Sequence, residues 1–557
     1  MFRSILGHRR RRLAIPILAV ALAVPTTLAL TGAFAQKSSP IKTDLLRQQA
    51  AQHLLKTEAA RVMTWPALVA LHYQATGDRQ FSQQLVTGNA PQPTGGAASA
   101  PEPAVSSANL PNVRVNNPAQ DTHAVGQTTQ SETTIAVAGS NVAVGFNDSS
   151  QNLLAMTAGS SLTGYAFSTN HGASFTDGGA LTSAPEFANF GDPWMGSDRV
   201  GAMYFSNLAL DFINGNLDVA VAKSTNGGQT WSTPTPVFRP PITTFYTGDK
   251  PALTVGRDPV LTSRDNIYVT YDDFSFDTLT GTSFTGLPVA RSIDGGQTWQ
   301  LNYADKFTAP ANSCSTQQYI GATPIVDNVT GTLYVTAERI NVDDPSCTGT
   351  APVQFSEWFF KSTDGGQTFA PGVKIADITP ATPNGLLFLG PGRYARTIEF
   401  PSPALSGGNI YVAWNDGGRG GSHIRLATST DGGATWSASF VTSGNGDEVQ
   451  PALTADSTGL HLLYYHRHPN NTLDVLIGDS TNGTSFTTRR VTSQSFQGSL
   501  TIPQFDPIVA FGYMGDYVAN VISGSHQYFA WGDNRDTVTD YIFPQGRNDP
   551  DVFFARR

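Results

Sequence analysis

Carboxylates in this chain collect where short apolar runs end. Asp272-Asp273, Glu338, Asp416 and Glu448 stand at such edges, with Trp414, Tyr465, His466 and Arg467 close by. Arginines recur in the same stretches: Arg339 follows Glu338, Arg393 and Arg396 lie in Gly-Arg-Tyr-Ala-Arg, and Arg419 lies in Gly-Gly-Arg-Gly-Gly. Three readings suit this set. Paired carboxylates act as acid and as base or nucleophile in glycoside cleavage, beside aromatic faces that stack on sugars. Hard carboxylate and carbonyl oxygens suit Ca2+, and no other cofactor is called for; which residues would hold the ion is left open. Polar residues at strand ends also serve as turn formers or as the lining of a hydrated channel. The glycines around Arg393, Arg396 and Arg419 either let backbone approach a ligand closely or form ordinary turns. The histidines of His466-Arg467-His468 offer a base near neutral pH, or are exposed strand-end residues.

What positions these residues is a repeat. STNHGASF starts at Ser168, STNGGQTW at Ser224, SIDGGQTW at Ser292, STDGGQTF at Ser362, STDGGATW at Ser429 and the shorter STNGTSF at Ser480, at spacings of 56, 68, 70, 67 and 51 residues. Each copy reads as a hairpin turn. The Asp or Asn accepts backbone N–H groups a few residues on, the glycines take positive φ, and the aromatic residue covers the turn. Ahead of each copy runs a pair of short strands, so the spacing is that of propeller blades. A seventh strand pair, Tyr517–Ile522 and Gln527–Trp531, follows the last copy, with Asp551–Ala555 as its third strand. Asn112–Asn116 precedes blade one without a partner of its own, and is expected to complete blade seven and close the ring. The expected fold is therefore all-β, a seven-bladed β-propeller, with six blades as the alternative.

The motif resembles the Asp-box, or BNR, repeat of the sialidase superfamily, over residues 110 to 557. The resemblance implies a secreted bacterial-type propeller in which the boxes are structural turns between the third and fourth strands of each blade. It does not imply a catalytic sialidase. That family carries its first substrate arginine in Phe-Arg-Ile-Pro near blade one, and the nearest stretch here, Asn112-Val113-Arg114-Val115, does not match. Arg339, Arg393, Arg396, Arg419, Arg467 and Arg535 are the candidates to converge in its place.

Alternating strand directions put the boxes on one face. The exits of second strands and the starts of first strands, among them Glu132, Asp192, Asp249, Glu448 and Asp516, fall on the other. Long loops at 273–287, 307–319, 341–356 and 371–398 wall that face over blades three to five. The expected site lies there, with Glu338 and Asp416 as the catalytic pair from adjacent blades. Asp272, Asp273, Arg339, Arg393, Arg396, Trp414, Arg419, Glu448, Tyr465, His466 and Arg467 are the expected substrate-binding set. Cys314 and Cys347 fall in two loops on that face and are expected to form a disulfide.

The remaining segments divide simply. Residues 1–35, with Arg9–Arg12 before an apolar run and Ala33-Phe34-Ala35 after it, read as a secretory signal, or as a membrane anchor if uncleaved. Residues 36–85 read as helical, 86–110 as a Pro/Gly/Ser-rich linker, and 111–557 as the propeller. The net charge is −9, and −14 once five arginines leave with residues 1–35, which argues against nucleic acid or an anionic membrane as partner. The expected protein is a secreted extracellular monomer whose partner is a glycan or glycoprotein. Its expected function is that of a sialidase-like propeller, a glycoside hydrolase or related carbohydrate-active enzyme. The alternative is a non-catalytic propeller that binds glycan or protein.

Overall fold

The fold is described from a computed structural model. It covers residues 45–557 apart from 57–59, 61–62, 77–104, 124–125, 155–156, 242–243, 278–281, 284, 309–312, 383–384, 501–513 and 540–542. The expected signal and most of the expected linker lie outside the described residues.

The chain forms a seven-bladed β-propeller. Blade one is Gln130–Ala138, Asn141–Asp148, Thr163–Ser168 and Thr176–Ala180, each strand antiparallel to the next. Blades three to six repeat this meander, centred on the second strands Asp265–Asp273, Thr332–Val342, Asn409–Asp416 and Gly459–Arg467. In blade two the first strand is split, Phe187–Asn189 and Trp194–Ser197 both pairing with Met203–Asp211. Blade seven holds Ala519–Ser523, His526–Val538 and Arg547–Arg556, and its fourth strand is Val113–Arg114, with Val113 opposite Phe554. The two ends of the propeller chain thus share one sheet, which leaves no free edge between blades seven and one.

Apolar alternation on successive strands packs blade against blade. Val144, Phe146 and Ile135 meet Ala530 and Phe554 of blade seven, and Leu333, Val335 and Phe360 meet Tyr268 and Val289 of blade three. The six Ser-x-Asp/Asn turns share one wiring. In the fifth, Ser429 Oγ donates to Asp431 Oδ1 at 2.8 Å and accepts from Gly433 N at 2.9 Å, and Asp431 accepts from Thr435 N. Gly433 sits at φ 94°, where a Cβ would lie 2.0 Å from Phe359 of the preceding blade, so only glycine fits. Trp436 then packs edge-on against that Phe359, which ties the turn to the blade before it.

Two helices, Leu45–Leu54 and Trp65–Thr76, lie on the face opposite these turns. Arg47 donates to Asn214 O and Asn216 Oδ1, and Gln74 to Gly215 O, all in the loop after the second strand of blade two. A disulfide joins Cys314 to Cys347, with Cα atoms 4.9 Å apart, as expected.

Candidate active site

The side chains that line the channel mouth are turned inward by one backbone device. The ladder between first and second strands breaks after Ser131, Asp249, Ile320 and Val449. Beside these breaks, and at the split in blade two, a residue takes positive φ: Glu132 (53°), Asp192 (54°), Lys250 (42°), Gly321 (63°) and Gln450 (55°). Four of these five are not glycine, a conformation that side-chain residues hold only where surrounding contacts over-determine it. The contacts come from the neighbouring blades. Asn147 accepts from Asp192 N at 2.8 Å, Asp272 from Gly321 N at 3.2 Å, Asn415 from Gln450 N at 3.4 Å, and Glu132 from Asp516 N at 3.1 Å. Asp272, expected to bind substrate, therefore clasps blade three to blade four.

Within this mouth Lys250 is buried, its ammonium 4.4 Å from the ring centre of Phe400, 5.0 Å from Trp194 and 5.3 Å from Tyr517. Burial pushes the lysine down, opposed by Asp272, Asp516, Glu132 and Asp192. Arg396 pairs with Asp516 at 3.0 Å, and burial still lifts that carboxyl to about 7. Asp249 is capped from outside: Thr64 N donates to its Oδ2 at 2.8 Å and Thr64 Oγ1 to its Oδ1 at 2.5 Å. Met63 and Thr64, both fully buried just before the second helix, thus cover this part of the mouth. Below it, toward the turn face, the channel holds a cavity of about 340 Å3 lined by Trp194, Lys250, Phe400 and Tyr517.

A second group of carboxylates lies off-centre, across blades four and five. Glu338 was expected at a strand exit, but the second strand of blade four runs on to Val342, so Glu338 and Arg339 are mid-strand. Pairing continues because the first strand, Thr316–Asp327, and the third, Val353–Ser362, are equally long. Glu338 is directly opposite Glu357 on the third strand. Glu357 is fully buried, and neither of its carboxyl oxygens has a hydrogen-bond partner. Burial, then Glu338, Glu399 and Asp416, push it well above the usual carboxylate range. Glu399, which accepts from Ala381 N at 2.8 Å, is pushed up by burial and then by Glu338. Asp416 is ion-paired with Arg425 at 3.0 Å and accepts from Gly418 N and Trp414 Nε1. A covering segment lies directly on this group: Gly417 N donates to Thr379 O at 2.7 Å, and a Cβ at Gly417 would sit 2.5 Å from Pro380 O. The structure thus brings Glu338 and Asp416 into electrostatic reach of one another's neighbours. It adds Glu357 and Glu399, which sequence reasoning missed. Their only signal was a glutamate inside a strand, Phe-Ser-Glu-Trp-Phe-Phe, and another in Ile-Glu-Phe-Pro.

The other expected residues do not join this group. Glu448 is held between His423 Nδ1 at 2.7 Å and His466 Nδ1 at 3.0 Å; burial opposes ionisation, yet these bonds bring the carboxyl down to about 2. Asp273 accepts from Ser275 N, and burial raises it to about 6. Trp414 and Tyr465 are fully buried, Tyr465 donating to Gly532 O at 2.7 Å, so neither offers a face on which a sugar could stack. The arginines do not converge. Arg339 stacks 3.7 Å over Trp358, Arg393 donates to Gly498 O, and Arg396 pairs with Asp516. Arg467 is bound to Asp447, Arg535 to Asp533, and exposed Arg419 lies 4.6 Å over Phe440. Each guanidinium finds a carboxylate, carbonyl or ring of its own: Arg339, Arg419, Arg467 and Arg535 within their own blades, Arg393 and Arg396 across to the chain that leads into blade seven.

No protein-family model matches this sequence, and no curated protein matches it. Solved structures with a similar fold include the intramolecular trans-sialidase from Ruminococcus gnavus in complex with oseltamivir carboxylate. It is 12% identical, with 68% of this chain and 97% of that chain covered and a TM-score of 0.39. The GH93 α-L-arabinofuranosidase of Fusarium graminearum with arabinobiose is 11% identical, covering 67% and 93%, also at 0.39. A PL25 ulvan lyase is 10% identical, covering 64% and 80%, at 0.41. With TM-scores below 0.5, these likenesses carry no argument about the reaction.

Proposed function

We propose that this protein is a secreted, sialidase-like Asp-box propeller that acts on extracellular glycans as a glycoside hydrolase or related carbohydrate-active enzyme, at blades four and five. The observation that carries this reading is the contrast within one buried carboxylate group. Glu357 and Glu399 are held toward the protonated form, while Asp416 is ion-paired with Arg425. Glycoside cleavage needs that division, one carboxyl to protonate the leaving oxygen and one carboxylate to attack the sugar or activate water. Glu338 and Asp416 fill these two roles, and Glu357, directly opposite Glu338, is the positioning residue beside it. Substrate reaches them when the segment around Thr379–Ala381 lifts from Gly417.

A second reading, a non-catalytic glycan- or protein-binding propeller, draws on the burial of all four carboxylates and of Trp414. Incubation of the purified protein with a glycan panel, scoring both binding and product release, separates the two. For any glycan that is cleaved, Glu338→Gln and Asp416→Asn are expected to lower turnover by at least about 100-fold with the circular dichroism spectrum unchanged. Glu357→Gln is expected to shift the pH profile of turnover. Unchanged turnover in the first two variants would end the catalytic reading.

A further inference from the structure

The place where the ring closes holds a second cluster of chemistry, independent of the site above. Asp549 and Asp551 are two residues apart on Arg547–Arg556, so both project to one face of that strand. Asp121 follows the short 3-10 turn Pro118–Gln120, just after the closing strand. One oxygen from each of these three aspartates lies within 4.8 Å of the others. Asp549 and Asp551 are nine-tenths or more buried.

Their outer oxygens are already held. Asp121 Oδ1 accepts from Gln130 Nε2 at 2.8 Å, and Asp551 Oδ1 from Asn116 Nδ2 at 2.8 Å. The remaining oxygens, Asp121 Oδ2, Asp549 Oδ1 and Asp551 Oδ2, have no hydrogen-bond partner. The nearest cation to the last is Arg114 Nε, 3.8 Å away, and that guanidinium is bonded to Asp536. Arg547 donates to Gly126 O and Thr128 Oγ1, and its charge, like those of His123 and Arg114, also acts on Asp549, whose Oδ1 still lacks a hydrogen bond. The donors are all hard oxygens. Oxygens on opposite sides of one Ca2+, bound at about 2.3–2.6 Å, stand about 5 Å apart, so the observed span accommodates one ion between the three carboxylates. Mg2+ demands a tighter and more regular shell than three side chains from two distant segments supply.

We propose that Asp121, Asp549 and Asp551 bind one Ca2+ ion that locks the N-terminal segment of the propeller to its C-terminal strand. The ion supplies the charge that these orphaned oxygens face, and it joins residues more than four hundred positions apart at the seam where the ring opens on unfolding. Its role is structural, away from the carboxylates of blades four and five.

The test uses the full-length protein stripped with EGTA and titrated with CaCl2, and in parallel with MgCl2, by calorimetry and by thermal unfolding. Expected are one Ca2+ per chain, a melting temperature raised by several degrees at saturation, and a weaker response to Mg2+. Asp549→Asn relieves the repulsion, so it is expected to fold and melt at or above the metal-free wild type while losing the Ca2+ response. Asp121→Asn serves as a second, independent variant. No heat and no shift in the wild type would overturn the proposal. So would a Ca2+ response retained in both variants, since the ion would then bind elsewhere.

Discussion

At the channel mouth, Glu132, Asp192, Asp249, Asp272 and Asp516 surround Lys250, with Arg396 on Asp516 and Thr64 on Asp249. Across blades four and five, Glu338, Glu357, Glu399 and Asp416 press on one another, and neither carboxyl oxygen of Glu357 has a hydrogen-bond partner. Both groups are buried carboxylates on the same face of the propeller. In the first, burial lifts Asp192, Asp249, Asp272 and Asp516 above the usual carboxylate range, yet these carboxyls also serve as fasteners: they meet the bulged strand starts of neighbouring blades and embrace a lysine. In the second, burial and mutual repulsion lift Glu357 and Glu399 well above that range, and the carboxyl of Glu357 has no hydrogen bond to offset them. Carboxylates that are satisfied by backbone amides and cations hold a fold together. A carboxyl pushed toward its protonated form and tied to neither amide nor cation is the one free to give a proton away.

The largest test of this difference is Lys250→Met. Removing the cation leaves several buried carboxylates uncompensated, and the expected cost is about 3–5 kcal/mol, read from denaturant unfolding. A cost below about 1 kcal/mol would show that the mouth is held by its aromatic rings and amide bonds, and the contrast with blades four and five would fade.

Next comes the disulfide, which stands beside the long strands that carry Glu338 and Glu357. Replacing both Cys314 and Cys347 by alanine is expected to lower stability by about 3–4 kcal/mol in the chain-entropy account, again by denaturant unfolding. Reduction of the wild type should reproduce that loss. A loss much smaller than this would mean that the extended ladder of blade four holds these loops without the cross-link.

The smallest effect, and the sharpest, is in pH dependence. Glu357 has a raised folded pKa, so its proton is kept on folding while the unfolded chain gives it up above about pH 4.3. Glu357→Gln should therefore be neutral at low pH and stabilise by about 1 kcal/mol or more at pH 8. Glu448, lowered to about 2, works in reverse. Its contribution is present above the unfolded value, about 4.3, and is lost as pH falls toward 2. Its partner His423 is raised chiefly by the bond to Glu448, so that share is full below about pH 6.5 and fades as pH rises through the folded value. Glu448→Gln should thus cost most in the mildly acidic window between. Stability curves of both variants from about pH 4 to about pH 9 check the opposite signs; parallel curves would mean that the two sites are equally compensated.

The blade count, the closing strand at 112–116, the Cys314–Cys347 bond and the turn chemistry of Ser429–Trp436 were all legible in the sequence. Each rests on short-range stereochemistry, or on a period that repeats until it cannot be accidental. The same arithmetic of blades and faces put Glu338 and Asp416 on adjacent blades; it did not show that Glu338 lies mid-strand, where both it and Asp416 act on Glu357 and Glu399. The partners of individual side chains did not. Nothing local distinguishes Asp272, which caps a neighbouring blade, from Asp416, which pairs with Arg425, since both are aspartates at the end of a second strand. Trp414 read as a platform because it stands near the strand end, and it is buried because Tyr334, Phe359, Ile375 and Ile378 of the preceding blade pack with it. Glu357 was given no role from the sequence, and its importance depends on Glu338 lying directly opposite it.

The sequence by itself determined the architecture: a repeated turn, seven strand pairs and a strand left over from one end to mend the other. The tertiary structure decided which charges are satisfied and which are stranded. That depends on the register between strands distant in the chain, and on the segment around Thr64 that comes down over the mouth. Protonation, and with it any chemistry, is set by those long-range distances and by burial, and a linear pattern of residues encodes neither directly.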